Sequence, residues 1–478
     1  MVSQSNAKIS RILLTLLMVT IMLRLVSLAA TPLFDPTESR YAEIGRKMVE
    51  TGNWVTPMID YNVPFWAKPP LSFWLTASSY KLFGINEFTA RLPSFMVMIA
   101  VAAMTVMLAV RHYGQEVKLL TLAVICSLPL FFYMAGGVMT DPALALATTL
   151  AMFTFWQGIN RPSIYLGYGF FIALALALLA KGPIGIVLVG MPIGAWVLWH
   201  NKWALTWQRF PWITGSLLTC AIALPWYMMA EHRTPGFLHY FIVGEHWQRF
   251  LVKGWKGDLY GAGRAHARGT IWLYGLIATL PFSLALPIIL GRNVYRKVLT
   301  CNDEWVHYIG LWILTPLLFF TMAQNILITY VITLLPAAAL LIVHVLKSLK
   351  WETSPFLPLP FLLTPLAFTV FLLLLHTPYA GHIAKSQKPV VEAYLQLQHD
   401  TEGHLIYAED RPYSADFYSQ GKAIHAKTLE EVRQYLHTGH TNFIAITKER
   451  FALLSKMLPE ELPIVAEHGN MLLLRSPE

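Results

Sequence analysis

Long apolar runs alternate with short polar turns along most of this chain. A helix of about 20 mainly apolar residues is long enough to cross a bilayer. By this criterion we count about eleven such runs, at roughly 11–30, 91–110, 119–135, 141–157, 164–180, 183–200, 210–230, 270–290, 304–322, 326–346 and 354–376. The pattern predicts a predominantly α-helical protein that crosses a membrane many times.

The basic residues of the short turns indicate how these helices are oriented. When the turns are read alternately, one side of the membrane receives Lys8 and Arg11, Arg111 and Lys118, Arg161, Lys202 and Arg209, Arg292, Arg296 and Lys297, and Lys347 and Lys350. Short cytoplasmic loops are enriched in Lys and Arg. We therefore predict a cytoplasmic N-terminus, with loops 31–90 and 231–269 and the segment after residue 376 on the opposite side.

The composition excludes a soluble globular protein. Of the 478 residues, 55% are hydrophobic and 13% are charged, whereas soluble domains carry about 25% charged residues. The net charge of +9 is compatible with nucleic-acid binding, but the basic residues lie in the short turns and act as orientation signals. We predict a bilayer partner and no nucleic acid.

Residues 377–478 have a different pattern from the preceding 376. Short apolar segments such as "HLIYAE" and "NFIAIT" alternate with amphipathic stretches such as "TLEEVRQYLHTG", which begins with a capping box at Thr428 and Glu431. This alternation predicts a small α/β domain. We divide the chain into a membrane-embedded catalytic domain, 1–376, and this C-terminal domain, 377–478.

The first loop opens with the segment "FDPTESRYAEIGRKMVETGNW" at residues 34–54. Its apolar and charged positions separate onto two helical faces, which predicts a short amphipathic helix lying in the membrane interface. Asp35 and Glu38 stand at the start of this helix. They either cap and solubilise the helix, or one of them takes a proton from an acceptor group.

Further ionisable residues stand at span ends on the same predicted side. Such groups are costly at membrane level and by default pair with each other or line a water-filled cavity. They are Lys68, Asp141, Lys181, Glu245, His246 and Arg249. Three cations of this set suit a phosphate, because Arg binds it bidentately and Lys acts as a point charge. The combination suits sugar transfer from a lipid-linked phosphate donor.

A series of motifs in chain order resembles a known family. "DPTESRYAEIGRKMVETGNWVTP", "VPFWAKPPLSFWLTA", "LFGINEFTARLPS", "TDP", "AKGPIG", "LHYFIVGEHWQRF" and "DRPYSADFYSQGKA" together resemble the bacterial lipid A aminoarabinose transferases and their relatives among the GT-C glycosyltransferases. The resemblance implies a polytopic GT-C fold in the bacterial inner membrane with a periplasmic active site. It also implies a polyprenyl-phosphate sugar donor, such as 4-amino-4-deoxy-L-arabinose, another amino sugar or a hexose on undecaprenyl phosphate, and lipid A or another envelope glycan as acceptor.

The same resemblance assigns roles to residues of this chain. It implies a catalytic role for Asp35 or Glu38. It implies donor-phosphate binding by Arg40, Lys68, Lys181, Arg249 and Tyr330, and further site positions at Asp141, Glu245 and His246.

Several positions depart from the family pattern. The family has adjacent Asp and Glu in the first loop, whereas here Thr37 precedes Glu38 and the aspartate lies at Asp35. The family glutamate that resembles a partner of the histidine in binding a divalent metal is Ala67 here, which argues against a metal at His246. Ile326 and Ile328 replace a lysine and a proline, which indicates a different sugar or acceptor, or a relaxed donor site.

Two alternatives remain open from the sequence. A protein O-mannosyl-type transferase of the same fold would also use a carboxylate at the acceptor, and it differs in the acceptor itself, which is a protein Ser or Thr. A lipid or solute transporter predicts duplicated helix halves with broken spans, and we see no internal duplication.

Arg24 lies deep in the first span, where it either extends to the membrane surface or pairs with a buried carboxylate or donor phosphate.

Overall fold

The computed structural model describes residues 2–261, 266–285, 303–375, 377, 385–398, 403–408, 411–436, 441–454 and 462–476. The helices are α1 Val2–Ala30, α2 Thr37–Thr51, α3 Leu71–Phe83, α4 Glu87–Tyr113, α5 Lys118–Ser127, α6 Pro129–Met134, α7 Asp141–Asn160, α8 Ile164–Lys181, α9 Pro183–Trp199, α10 Trp203–Arg209, α11 Trp212–Arg233, α12 Arg249–Leu251, α13 Thr270–Ala278, α14 Glu304–Thr321, α15 Leu335–Ser348, α16 Leu363–Leu374, α17 Lys388–Leu397, α18 Tyr413–Tyr418, α19 Leu429–Leu436 and α20 Lys448–Leu454. A π-helix spans His239–Gln248, and 3-10 turns span Gln115–Val117, Phe282–Ala285, Ile328–Leu334, Trp351–Thr353 and Leu359–Leu362. The strands are β1 Met58–Asp60, β2 Val63–Pro64, β3 Leu405–Ala408, β4 Ile424–Ala426, β5 Phe443–Thr447, β6 Ile464–His468 and β7 Met471–Arg475.

Six helical segments of the described residues are long and apolar enough to cross a membrane, and α9 and the Leu359–Leu374 helix are shorter apolar helices. The predicted helical membrane fold is therefore confirmed. Several predicted spans are interrupted. The run 119–135 breaks between α5 and α6, where Leu128 is extended (φ −66°, ψ 122°), because the proline that follows disfavours helical backbone at the preceding residue. The last part of the run 270–290 lies outside the described residues.

Arg24 of α1 does not extend to the membrane surface. Its side chain is buried, donates from NH2 to the carbonyl oxygen of Tyr133 (2.6 Å) and lies over the rings of Phe132 and Phe368. A Cβ at Gly136 would stand 2.3 Å from the same NH2 atom, so only glycine leaves room for the guanidinium. The partners are the Ser27 hydroxyl, a backbone carbonyl and two aromatic rings. Arg24 therefore fastens α1 to α6 and to α16.

Helix α2 of the first loop is more deeply buried than an interfacial helix. Its charged residues Glu43, Arg46 and Lys47 are all nearly inaccessible, and Arg46 donates to both oxygens of Glu43 at 2.7 Å. The apolar face packs on α3, as the amphipathic pattern predicts. The charged face packs against α18 instead of facing water, because the C-terminal residues cover it.

The described residues between 385 and 476 form an α/β unit, as the sequence predicts. Its five-stranded sheet has the order β4-β3-β5-β7-β6, with β3 parallel to β4 and β5 and the remaining pairs antiparallel. Alternate residues of β3 and β5 point to opposite faces, and apolar clusters form on both faces. We refer to it as the C-terminal α/β unit.

Polar contacts fasten the C-terminal α/β unit to the first loop and to α4. Ser414 donates its backbone N–H (2.9 Å) and its hydroxyl to the Asp35 carboxylate. Lys388 lies 2.6 Å from Glu87 at the start of α4, and Arg411 lies 2.6 Å from Asp60. Each of these pairs joins residues more than 300 positions apart along the chain.

Asp416 lies buried in this interface, with 3% of its surface exposed. The Arg411 Nε atom lies 3.1 Å from Oδ1 of Asp416, but its N–H is not directed at that oxygen, which has no hydrogen-bond donor. From the first loop, Glu43, Lys47 and Asp60 also act on Asp416. Burial raises the pKa of Asp416 to about 7, although Arg411 opposes the shift.

We expect the C-terminal α/β unit to dock about tenfold more tightly at pH 6 than at pH 8. An aspartate in the undocked state has a pKa of about 3.9, so Asp416 binds a proton more readily in the docked state. The stabilisation of docking by this proton is lost as the pH rises through 7. Hydrogen exchange of α2 and α18, corrected for intrinsic rates, measures the change.

Asp416→Asn should abolish this pH dependence and leave docking tight at both pH values. Glu449→Gln, which changes an exposed acid of the same unit, is the matched control and should behave as the native chain. A tenfold change that persists in Asp416→Asn would assign the effect to another group.

Candidate functional site

Residues from several separated segments meet in a small cavity, which we call the polar pocket. The cavity has a volume of about 80 Å³ and is lined by Ala67, Lys68, Leu144, Lys181, Ile184, Leu188, Glu245, His246, Arg249, Phe250, Phe320, Ala323, Asn325 and Tyr330. Six of the residues predicted from the sequence therefore share one cavity. They come from the first loop, the α8–α9 junction, the segment after α11 and the turn before α15.

The α8–α9 junction places Lys181 in the polar pocket. Helix α8 ends at Lys181 and is followed by Gly182, whose φ of +78° favours glycine, and Pro183 starts α9. A Cβ at Gly182 would lie 2.6 Å from the ring of Phe241 and 3.1 Å from Nε2 of His246. The missing side chain therefore lets the junction and the π-helix approach closely.

Lys181 is held by a carboxylate and by an aromatic ring. Its Nζ lies 2.7 Å from Oδ1 of Asp141 and 4.7 Å from the centre of the Tyr330 ring. Asp141 stands in the first turn of α7, where the helix dipole favours a negative charge. Because a lysine ammonium has three donors, the pair with Asp141 leaves donors for a further acceptor.

Glu245 joins the other two cations of the polar pocket. Its carboxylate lies 3.2 Å from Nζ of Lys68, and Arg249 NH1 lies 3.0 and 2.9 Å from its two oxygens. The hydroxyl of Tyr240, one π-turn earlier, lies 3.2 Å away. Burial alone would raise the pKa of Glu245, but Lys68 and Arg249 hold it below its ordinary value.

Three residues that the sequence did not single out support Arg249 and Lys68. The side chain of Asp258 is 5% exposed and lies 3.5 Å from Arg249 NH1. Asn325 donates to the carbonyl oxygen of Arg249 at 2.6 Å, and Tyr260 contacts the segment before Lys68. The Nε atom of Arg249 is buried and has no hydrogen-bond acceptor, so the guanidinium retains a donor at the pocket.

His246 lines the polar pocket, but its surroundings do not fit a divalent metal. Nδ1 lies 2.8 Å from the carbonyl oxygen of Phe241, and Nε2 lies 3.1 Å from that of Lys181. Ala67 offers no ligand, and Glu245 is bound by two cations. Among the residues that the structure describes, no group of three His, Cys, Asp or Glu side chains could hold a metal.

The structure does not bring Asp35 and Glu38 to the polar pocket. Glu38 accepts hydrogen bonds from Arg91 at 2.8 and 3.0 Å and from the Phe34 amide. Asp35 accepts from Ser39 and Ser414 in the interface with the C-terminal α/β unit, and burial raises its pKa although these donors oppose the shift. These contacts explain both carboxylates as anchors of the first loop, and their catalytic role stays a prediction.

Arg40 does not line the polar pocket either. Its NH1 donates to the carbonyl oxygen of Tyr260 at 2.8 Å, and its guanidinium lies between 5.4 and 5.7 Å from the ring centres of Tyr41, Phe65 and Tyr413. Arg40 thus joins the first loop to the loop before α13 and to the C-terminal α/β unit. Its predicted contact with donor phosphate stays a prediction.

Comparison with known proteins gives three consistent results. Residues 9–241 match the family model described as dolichyl-phosphate-mannose-protein mannosyltransferase. The undecaprenyl phosphate-α-4-amino-4-deoxy-L-arabinose arabinosyl transferase of Enterobacter sp. (strain 638) is 30% identical over 389 residues, which cover 77% of this chain and 67% of the relative. Arabinosyl transferase 1 of Pseudomonas fluorescens (strain Pf0-1) is 28% identical over 72% of this chain and 59% of the relative.

The fold also has a counterpart among solved structures. The crystal structure of ArnT from Cupriavidus metallidurans bound to undecaprenyl phosphate superposes with a TM-score of 0.79 at 19% identity, covering 97% of this chain and 98% of the other. The sequence matches span about two thirds or less of the length of the curated relatives, whereas the fold match covers nearly the whole chain. The chain belongs to the undecaprenyl phosphate-aminoarabinose arabinosyl transferase family of GT-C membrane glycosyltransferases.

Proposed function

We propose that the protein moves a sugar from undecaprenyl phosphate to an acceptor of the bacterial envelope, on the periplasmic face of the inner membrane. The observation that carries the proposal is the convergence of Lys68, Lys181 and Arg249 on the polar pocket. Three cations from separate segments match the oxygens of one phosphate, which is the group that the donor releases.

The proposed reaction is a displacement at the anomeric carbon of the donor sugar. An acceptor oxygen forms a bond to this carbon, and the bond from the carbon to the phosphate oxygen breaks. The electron pair leaves with the phosphate, so the product is undecaprenyl phosphate. Lys68, Lys181 and Arg249 stabilise the negative charge that develops on the phosphate. The proton of the acceptor, where it carries one, passes to a base or to water.

An apolar cavity supports a lipid-linked donor. It has a volume of about 860 Å³ and is lined by residues of α13, α14, α15 and the segment 351–360, including Leu317 and Leu334. Phe320 and Tyr330 of the polar pocket stand one turn away from these two leucines. A phosphate in the polar pocket would therefore have apolar volume beside it for the isoprenoid chain.

The charge distribution along the helices supports the periplasmic placement. Helix α8 ends in the polar pocket at Lys181, and α4 runs away from the first loop to Arg111. Lys202 and Lys347 lie in the predicted cytoplasmic turns, on the same side as Arg111. Because Lys and Arg accumulate in cytoplasmic turns, the pocket end faces the opposite compartment.

We propose 4-amino-4-deoxy-L-arabinose or another amino sugar or hexose as the transferred group, and lipid A or another envelope glycan as the acceptor. The relatives are named for aminoarabinose, while Ala67, Ile326 and Ile328 depart from their pattern around the pocket. The match of residues 9–241 to a protein mannosyltransferase model favours a protein acceptor as the second candidate.

Mass spectrometry of envelope lipids and of periplasmic proteins, with and without this gene, tests the proposal and separates the two acceptors. A sugar that disappears from lipid A, or from another envelope glycan, supports the first candidate. A sugar that disappears from protein Ser or Thr residues supports the second. Unchanged lipids, glycans and proteins in a strain that expresses the intact protein would refute the proposed transfer.

Replacing Arg249 by Met should lower the rate of sugar transfer by on the order of 100-fold, because a charged donor to the leaving phosphate is lost. Glu245 keeps Lys68 as its partner, so the fold should persist. The measurement is transfer from purified polyprenyl-phosphate sugar by protein in nanodiscs. Arg233→Met, an exposed arginine that contacts Asn53, is the control and should transfer at the native rate. Equal rates in the two variants would contradict phosphate binding by Arg249.

Replacing Glu38 by Gln should affect stability more than chemistry. The change leaves Arg91 buried with one formal charge unmatched, which costs about 3 kcal/mol, while the polar pocket keeps its cations. Thermal unfolding measures the first effect, and transfer per folded molecule measures the second. A variant that stays folded but no longer transfers sugar would instead support the predicted role of Glu38 as a base.

A further inference from the structure

Tyr260, in the loop before α13, contacts the backbone that leads to Lys68. Its hydroxyl accepts a hydrogen bond from the Trp66 amide at 3.0 Å and donates one to the Pro64 carbonyl oxygen at 2.8 Å. Its ring packs on the buried Phe65 with the ring centres 4.6 Å apart. One side chain thus fixes three consecutive residues of the first loop.

The chemistry of the contact requires a hydroxyl. A phenol both donates and accepts, so it satisfies an amide N–H and a carbonyl oxygen that face the same point. Burial raises the pKa of Tyr260 to about 12, which keeps the hydroxyl protonated and able to donate. Phenylalanine would keep the ring contact with Phe65 and lose both hydrogen bonds.

The loop that carries Tyr260 also contacts Arg249, another cation of the polar pocket. Asp258 accepts from the Tyr260 amide through Oδ1 at 3.0 Å, and its Oδ2 lies 3.5 Å from Arg249. Arg40 binds the Tyr260 carbonyl oxygen at 2.8 Å. The position of Tyr260 is therefore set from both sides, and it connects the segments that carry Lys68 and Arg249.

We propose that Tyr260 is a positioning residue for sugar transfer, which holds the backbone at Pro64 and Trp66 so that the Lys68 ammonium reaches the leaving phosphate. The inference rests on the proposed function. Lys68 follows Trp66 by two residues, so a shift of the Trp66 amide moves the lysine. Displacements of about 1 Å at such a group lower catalytic rates by as much as 100-fold.

The test is Tyr260→Phe in the full chain in nanodiscs, with purified polyprenyl-phosphate sugar as donor. We expect kcat to fall about tenfold with little change in the KM for acceptor, and the Trp66 amide to exchange with solvent faster. Tyr274→Phe is the matched control, since this tyrosine of α13 contacts His266 outside the polar pocket. It should leave kcat and the exchange of the Trp66 amide at native values.

A double-mutant cycle with Lys68→Arg shows whether Tyr260 acts through Lys68. If it does, Tyr260→Phe should slow the Lys68→Arg variant much less than it slows the native protein, because residues that act as one unit are non-additive. Equal fold-losses in both backgrounds, or an unchanged kcat in Tyr260→Phe, would overturn the inference. If the native protein itself transfers no sugar, the proposed function fails. Hydrogen exchange of the Trp66 amide in Tyr260→Phe then shows only whether Tyr260 holds the segment from Pro64 to Trp66.

Discussion

Pairing of buried charges is the constraint on which the site depends. An ion removed from water costs several kcal/mol unless a partner of opposite charge and further hydrogen bonds accompany it. In the polar pocket Lys181 has Asp141, while Lys68 and Arg249 share Glu245. These pairs fix the cations in place before a ligand arrives, and an anionic ligand can use the donors that the resident carboxylates leave free.

The same constraint organises the first loop. Glu38 is enclosed by Arg91, and the charged face of α2 is enclosed by its own Glu43–Arg46 pair and by the C-terminal α/β unit. The first loop, the helical bundle and the C-terminal α/β unit are therefore joined by ion pairs as well as by apolar packing. The segment that delivers Lys68 to the polar pocket lies within this framework.

The sequence predicts the pocket well and the first loop less well, for a physical reason. Charged residues at span ends are costly in lipid and by default pair or line a shared cavity, so Lys68, Lys181 and Arg249 could be grouped from the sequence. The partners of Asp35 and Glu38 could not be found this way, because Ser414 and Arg91 lie far along the chain and no periodic pattern reports a tertiary contact. An amphipathic helix also looks the same whether water or protein covers its polar face, which is why α2 was expected at the interface.

The interface between the first loop and the C-terminal α/β unit has a consequence for biosynthesis. Asp35 and Ser414 are separated by 379 positions, so the loop leaves the ribosome long before its partner is made. Until then the Asp35 carboxylate lacks its partner in the C-terminal α/β unit and must stay hydrated. Closing so long a loop is entropically costly, and the final contacts therefore form late, after the helices that flank the loop are already inserted.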